Sequence, residues 1–240
     1  MNNIIIIIPT LNEKKNIKFL FDKLTTTNIG FDLLFIDDNS NDGSQEEIKD
    51  LAKNNQNINY IFRPKKMGIG SAHKDGFIWA YKKNYKIIIT MDVDGTHDPK
   101  YLKCLIEELK NSDIVVTNRF LEKNLLENWP LFRIFLTRSR HLLISLFLSM
   151  SYDASGAFRC INCQKVALSD LILAKNDSYA YFWESIFILH KKKYRINQIP
   201  ICLPYRIIGS SKMTVKDVFV SISYLMIVFV KKILGKYNYK

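Results

Sequence analysis

The sequence predicts an α/β fold, a mostly parallel sheet flanked by helices, with apolar and amphipathic helices toward the C-terminal end. Three features predict it. Strand-like and helix-like segments alternate through roughly the first hundred residues, the pattern of βαβ units. The strand segments are continuous apolar runs, as expected when both faces of a sheet are covered. Polar and acidic clusters follow directly on the strands, where open parallel sheets bind their ligands.

The elements follow in order. Asn3–Ile8 is a β-branched run that reads as a buried strand ended by Pro9. Asn12–Leu24 is helical, with Ile17, Leu20, Phe21 and Leu24 on one face. Phe31–Ile36 is a second strand and runs into Asp37-Asp38, followed by a helix over Gln45–Asn54. Ile58–Phe62 is a third strand, a loop holds Gly68 and Gly70, and Ser71–Lys83 is helical. Lys86–Met91 is a fourth strand that ends in Asp92 and Asp94. Pro99–Asn111 is helical, and Asp113–Thr117 is a short fifth strand.

Beyond residue 120 the character changes. Trp129–Met150 mixes Arg133, Arg138 and Arg140 with Leu, Ile and Phe. Trp129, Phe132 and Phe135 share helical spacing and read as packing or lipid-facing residues. Val218–Val230 is an apolar run followed by Lys231 and Lys232, and it falls short of the roughly 20 residues of a membrane span. A helix lying in a membrane interface, lysines toward lipid phosphates, is the expectation. The chain therefore divides into one α/β domain over residues 1–215 and a membrane-associating helix with a basic tail over residues 216–240.

Charge is distributed as unevenly as hydropathy. Residues 1–99 carry 13 Lys+Arg and 13 Asp+Glu, whereas residues 100–240 carry 22 and 10, which is the whole net charge of +12. A basic half attracts phosphorylated substrates or an anionic membrane. Nucleic acid is not expected, because acids at the strand ends would repel a phosphate backbone. No cleavable leader is expected, since Asn12–Lys15 follow the Ile4–Ile8 run too closely. Cys104, Cys160, Cys163 and Cys202 include one CxxC without a second ligand pair, so they read as incidental thiols of a reducing compartment.

The chemistry centres on Asp92-Val93-Asp94. At a strand end the chain can turn so that both carboxylates meet one hard divalent cation, Mg²⁺ or Mn²⁺, which also contacts substrate phosphates. A diphosphate leaving group needs that charge neutralised. Asp37-Asp38 begins DDNSNDGS and can accept from ribose or base, although the same residues favour a turn. Lys65 and Lys66 precede Gly68 and Gly70 in a loop able to approach phosphate. His97 reads as a loop or capping residue, and Glu184 as a buried acid or a substrate-side group.

Seven motifs in sequence carry a resemblance: PTLNE at 9–13, IDDNSNDGS at 36–44, RPKKMGIGSA at 63–72, MDVDGTHDP at 91–99, DIVVTNRF at 113–120, DASGAFR at 153–159 and YRIIGSSKM at 205–213. They make the chain similar to family 2 glycosyltransferases, and most of all to the polyprenol (dolichol) phosphate mannosyltransferases. The resemblance implies a GT-A type fold, a nucleotide-diphosphate sugar donor, a divalent metal and transfer of a hexose, mannose from GDP-mannose, to a polyprenyl phosphate. The Val218–Val230 run with its lysines and the basic excess after residue 100 predict work as a peripheral protein at the cytoplasmic face of a membrane, with room for a small membrane-anchoring partner. A family 2 transferase using UDP-glucose or a UDP-N-acetylhexosamine, with a lipid phosphate or glycan hydroxyl as acceptor, is the alternative.

By the same resemblance Pro9, Leu11, Glu13, Ile36, Asp38 and Val93 match donor-binding positions, and Asp92, Asp94 and Thr96 match the metal site. Arg119, Arg133, Arg206 and Lys212 match cations around the donor and acceptor phosphates. Asp94, Asp153, Arg206 and Lys212 match the catalytic set. Arg206 and Lys212 share a loop with Gly209, Ser210 and Ser211, a composition suited to closing over a diphosphate. The chain departs from the family at Leu11 for the usual Tyr, at Asn39 for Gly, and at Thr96 for Gln or Ser.

Overall fold

The computed structural model describes residues 2–123, 125, 126, 128–204 and 214–236. Strands β1 (Ile4–Thr10), β2 (Asp32–Asp37), β3 (Ile58–Phe62) and β4 (Ile87–Thr90) alternate with helices α1 (Lys14–Thr25), α2 (Ser44–Asn54) and α3 (Ile69–Lys82). These are the elements expected, within a few residues at each end. The seven described strands form one sheet in the order β3-β2-β1-β4-β6-β5-β7, with β5 at Ile114–Asn118, β6 at Arg159–Asn162 and β7 at Ile196–Pro200. All neighbours pair in parallel except β6, which runs antiparallel to both β4 and β5.

The isoleucine run explains the centre of the sheet. Side chains alternate between faces along a strand. Ile5 and Ile7 join one core with Leu34, Ile36 and Phe77, while Ile6 and Ile8 join the other with Ile17, Leu20 and Phe35. Both faces are thus covered, which is why no polar residue interrupts the run. Helix α3 lies especially close on its face. A side chain at Gly76 would place a Cβ 2.7 Å from Ile7 Cγ2 and 2.8 Å from Ile36 Cδ1.

One boundary differs in a way that matters for the site. Pro9 does not end β1, which runs through Pro9 to Thr10. Pro9 is opposite Ile36 on the β2 side, while pairing with β4 stops at Ile7↔Thr90. Ile7 offers its carbonyl to Met91 on the β4 side and Thr10 offers its own to Asp38 on the β2 side. The missing N–H of Pro9 therefore faces β4 beyond its last rung, where no partner is forfeited.

The expected helix over 99–111 is three pieces: a 3₁₀ turn at Pro99–Tyr101, α4 at Leu102–Glu108 and a second 3₁₀ turn at Leu109–Asn111. Asp98 caps the first through Lys100 N–H at 2.9 Å. The rest of the chain adds α5 (Leu131–Leu148), α6 (Leu168–Leu171), α7 (Tyr181–Lys191) and α8 (Val215–Ile233). Helix α8 starts with a capping box between Thr214 and Asp217. It is fastened to α7 by Trp183 Nε1 donating to Ser221 Oγ at 3.2 Å and Tyr224 Oη donating to Glu184 Oε1 at 2.7 Å. It meets α5 where Phe147 stacks on Phe229 and Lys232 Nζ donates to the Phe147 carbonyl at 2.9 Å. No described helix is long and apolar enough to cross a membrane.

Candidate active site

The chain order places β2 and β3 on one side of β1 and β4 on the other, so the winding direction reverses between β1 and β4. Open α/β sheets bind ligands at such a switch point, outside the carboxyl ends of the strands. A cleft of about 260 Å³ lies there, bounded by Pro9–Leu11 at the end of β1, Asp38 after β2 and Asp92–Asp94 after β4. Lys66, Gly68 and Ile69 form a further wall, with Ser178, Tyr179 and Asp217 opposite in sequence but adjacent in space.

The Asp92–Gly95 turn is held by its own side chains. Asp92 donates its backbone N–H to His97 Nδ1 at 2.8 Å. His97 is buried and stacks on Phe158 at 5.0 Å between ring centroids. Burial draws its pKa down to about 4, so the imidazole is neutral and keeps the lone pair that accepts this bond. Asp94 Oδ1 accepts from Thr96 N at 3.1 Å and Thr96 Oγ1 at 2.6 Å. The turn closes at Gly95, whose φ of 77° suits glycine.

Asp37 and Asp38 divide two tasks. Asp37 is fully buried and accepts from Thr10 Oγ1, Ser40 N and Gln45 Nε2, which shapes the turn. Asn39 sits there at φ 64°, a conformation asparagine tolerates, so it can stand where the family has glycine. Asp38 reaches across to the next loop, accepting from Met67 N at 2.8 Å and Gly68 N at 2.9 Å and pairing with buried Arg63 at 3.0 Å. It lines the cleft while binding the loop that carries Lys66.

On the other flank of Asp92, Arg119 and Asp153 form a buried bidentate pair. Asp153 accepts four hydrogen bonds, from Arg119 N, Nε and Nη2 and from Ser155 Oγ, at 2.6 to 3.2 Å. Burial works against its charge, but the Arg119 guanidinium holds its carboxyl at about 2. Such a carboxylate is a weak proton acceptor near neutral pH, and its lone pairs are already engaged. Its geometry is that of a residue orienting Arg119. The loop itself is pinned by Arg159, which donates to the Gly156, Ala154 and Phe182 carbonyls at 2.7 to 3.0 Å.

The profile of the family described as "Glycosyl transferase family 2" matches residues 5–167, well over half of the chain. This chain belongs to that family. Among curated proteins, this family 2 transferase is similar to an undecaprenyl-phosphate mannosyltransferase of Micrococcus luteus, at 27% identity over 88% of this chain and 87% of the relative. It is similar to a polyprenol monophosphomannose synthase of Mycolicibacterium smegmatis at 24%, over 88% and 80%. A dolichol-phosphate mannosyltransferase of Pyrococcus furiosus is 27% identical over 89% of this chain, which spans 60% of that longer protein. Among solved structures, glucosyl-3-phosphoglycerate synthase of Mycobacterium tuberculosis, crystallised with Mn²⁺, UDP and glucosyl-3-phosphoglycerate, superposes with a TM-score of 0.66. That match has 13% identity and covers 98% of this chain and 81% of that one, so it speaks for the shared GT-A architecture.

Of the residues singled out in this family 2 transferase, Pro9, Leu11, Glu13, Asp38, Asp92, Val93 and Asp94 meet in the cleft. Ile36 lies beneath it, fully buried against α3. Thr96 stands behind Asp94 rather than on the cleft wall. Arg119 and Asp153 are joined to each other next to Asp92, whose charge strengthens the Arg119 proton affinity. Arg133 is on the exposed side of α5. Arg206 and Lys212 lie outside the described residues. Sequence reasoning missed Ser178, Tyr179 and Asp217. Nothing local marks them, because they reach the cleft through long-range packing. Glu184 proves to be a buried acid that fixes this wall, accepting from Asn176 N at 2.9 Å as well as from Tyr224.

Proposed function

We propose that the protein transfers a hexose, mannose from GDP-mannose, to a polyprenyl phosphate at the cytoplasmic face of a membrane. The observation that carries this reading is the meeting of the Asp92-Asp94 pair with the β1 and β2 ends in one cleft, with the Arg119–Asp153 pair within electrostatic reach of Asp92. The names of the curated relatives support the lipid phosphate acceptor, since two name undecaprenyl phosphate or dolichol phosphate and the third names a polyprenol monophosphomannose.

The donor nucleoside fits against Pro9, Leu11, Glu13 and Asp38, with Lys66 toward the diphosphate. Asp92 and Asp94 offer only hard oxygen, and no third His, Cys, Asp or Glu joins them among the described residues. That set fits Mg²⁺ or Mn²⁺, which usually keep phosphate oxygens and waters as remaining ligands, and not a site closed by protein alone. When bound, the metal neutralises charge on the departing diphosphate. Thr96 orients Asp94 or adds a third oxygen. An acceptor phosphate oxygen attacks C1 of the sugar, the bond from C1 to the diphosphate oxygen breaks, and the nucleoside diphosphate leaves. A phosphate monoester is already anionic near neutral pH, so no strong general base is required. Arg119, positioned by Asp153, and Arg133, Arg206 and Lys212 supply the positive field.

Residues 216–240 act as the membrane-associating segment. On α5, Leu131, Phe132, Phe135, Leu142 and Leu146 are exposed, and on α8 so are Phe219, Ile222, Met226, Ile227, Val230 and Ile233. Two neighbouring helices with exposed apolar faces and lysines at one end suit an interfacial position.

The test is a transfer assay with labelled GDP-mannose, UDP-glucose and UDP-N-acetylglucosamine, farnesyl phosphate or farnesol as acceptor, and Mn²⁺. Transfer of mannose to farnesyl phosphate, lost in EDTA and in Asp94→Asn, supports the reading. Preference for a UDP-sugar, equal rates with farnesol, or full turnover by Asp94→Asn would overturn the corresponding part.

A further inference from the structure

Helix α5 brings one more cation to the Asp153 cluster. Arg140 is half-buried, and its Nη2 donates to Ser155 Oγ at 3.0 Å. That hydroxyl is already committed, since it accepts from Arg119 Nη2 at 2.6 Å and donates to Asp153 Oδ1 at 3.1 Å. Arg140 Nε is buried and has no hydrogen-bond partner. Among the described residues no carboxylate lies within ion-pair distance of Arg140, because the oxygens of Asp153 are taken up by Arg119 and Ser155. Burial, and then the charge of Arg119, draw the Arg140 pKa down to about 10, which still leaves it charged at neutral pH. His141, beside it and stacked on Phe120 at 4.3 Å, is shifted toward the neutral form by burial.

Asp153 thus engages Arg119 directly and meets Arg140 only through Ser155, while two guanidiniums stand at close range. For the unliganded protein this arrangement is unfavourable: like charges repel, and a buried donor goes unused. An apolar side chain of similar length would pack there at lower cost. The cluster is not sealed, since Arg119, Phe120, Arg140, His141, Ser155 and Gly156 are each partly accessible. It also lies within electrostatic reach of the cleft, since Arg119 feels the charge of Asp92.

We propose that Arg140 is a further acceptor-binding residue, forming with Arg119 a site for the phosphate monoester of the lipid acceptor. This rests on the lipid phosphate reading given above and adds a residue to it. A planar guanidinium suits a phosphate through two parallel N–H bonds, and among the described residues Arg140 has no carboxylate at ion-pair distance to compete for it.

Thermal unfolding and kinetics of the full chain test it, with farnesyl phosphate, inorganic phosphate and farnesol as probes, for the wild type and Arg140→Met. Without ligand the variant is expected to melt no lower than the wild type. Farnesyl phosphate is expected to raise the wild-type midpoint and to lose most of that effect in the variant, with inorganic phosphate weaker in the same order. The acceptor KM is expected to rise about tenfold or more while the donor KM stays unchanged, and Arg140→Lys recovers part of it. Should Arg140→Met fail to fold, Arg140→Gln keeps a donor to Ser155 and serves the same comparison. Equal stabilisation of wild type and variant by farnesyl phosphate, or equal rises in donor and acceptor KM, would overturn the assignment of Arg140. Transfer to farnesol with no stabilisation of the wild type by either phosphate would instead remove the lipid phosphate reading itself.

Discussion

The backbone N–H of Asp92 is hydrogen-bonded to the Nδ1 atom of His97, so the first carboxylate of the acidic pair hangs from a buried imidazole five residues on. The bond fixes where the chain turns after β4. His97→Phe keeps the stack on Phe158 but leaves that N–H without its acceptor, a loss worth about 1–3 kcal/mol. Turnover is expected to fall by roughly tenfold, with the Mn²⁺ requirement shifted to higher concentration. Unaltered Mn²⁺ dependence in the variant would show that the turn keeps its shape unaided.

His73 gives a pH dependence of defined sign. It lies between Phe77, Tyr181 and Phe182, is buried, and neither ring nitrogen has a hydrogen-bond partner. Burial lowers its pKa to about 3. Protonation therefore favours the unfolded chain. The stability is complete above the ordinary histidine value of about 6.5 and falls by about 1.4 kcal/mol per unit as pH drops toward 3. His73→Leu should remove one proton from that slope and leave stability at pH 7 equal or higher. Urea unfolding at pH 7 and pH 5 measures it, and an identical loss in both proteins would assign the acid sensitivity elsewhere.

Gly70 tests the wall opposite Asp92. A Cβ at this position would stand 2.5 Å from Tyr181 Cβ and 3.0 Å from the Asp177 carbonyl carbon. Gly70 and Ser71 also donate their N–H groups to the Asp177 carbonyl at 2.9 and 3.3 Å. Gly70→Ala should push α3 away from the 177–181 segment, costing about 1–3 kcal/mol. Donor KM should rise, because Ser178 and Tyr179 border the cleft. A lower melting temperature with unchanged donor KM would mean that this wall does not touch the donor.

Membrane association should depend on the outer faces of α5 and α8. Replacing exposed Phe132, Phe219 and Ile227 by serine should cut flotation with liposomes while sparing transfer to farnesyl phosphate in solution. Binding by the wild type should strengthen with anionic lipid and weaken with salt. Flotation that ignores both the substitutions and lipid charge would place the contact surface elsewhere.

The parts of this fold legible in the sequence are those governed by local pattern. The isoleucine run, the acids at strand ends and the helical spacing of Ile17, Leu20 and Leu24 each report on their own neighbourhood. β6 escaped because Arg159–Asn162 opens with a buried arginine that looks unlike a strand, yet its charge is met by carbonyls and Ser185. β7 holds Asn197 and Gln198, and Asn118 donates to Gln198 at 2.6 Å in a pairing no local pattern predicts. The site followed the same division. Asp92, Asp94 and Asp38 were visible as motifs, whereas the Arg119–Asp153 pair joins residues 34 positions apart. Asp217 precedes the apolar Val218–Val230 run with no local mark of a site, and only the packing of α8 brings it to the cleft.

The path of α8 also bears on where this chain can be shortened. Its first turn contributes Asp217 to the cleft wall, its middle seals Trp183 and Glu184, and its outer face is apolar. A fragment trimmed before Thr214 to gain solubility would expose the flank of α7 and open one side of the cleft. It would be an injured enzyme, not a liberated catalytic domain, and inactivity in such a fragment would say little about any need for lipid. Blunting the greasy surface residue by residue, with the helix left in place, separates the two roles that truncation confounds.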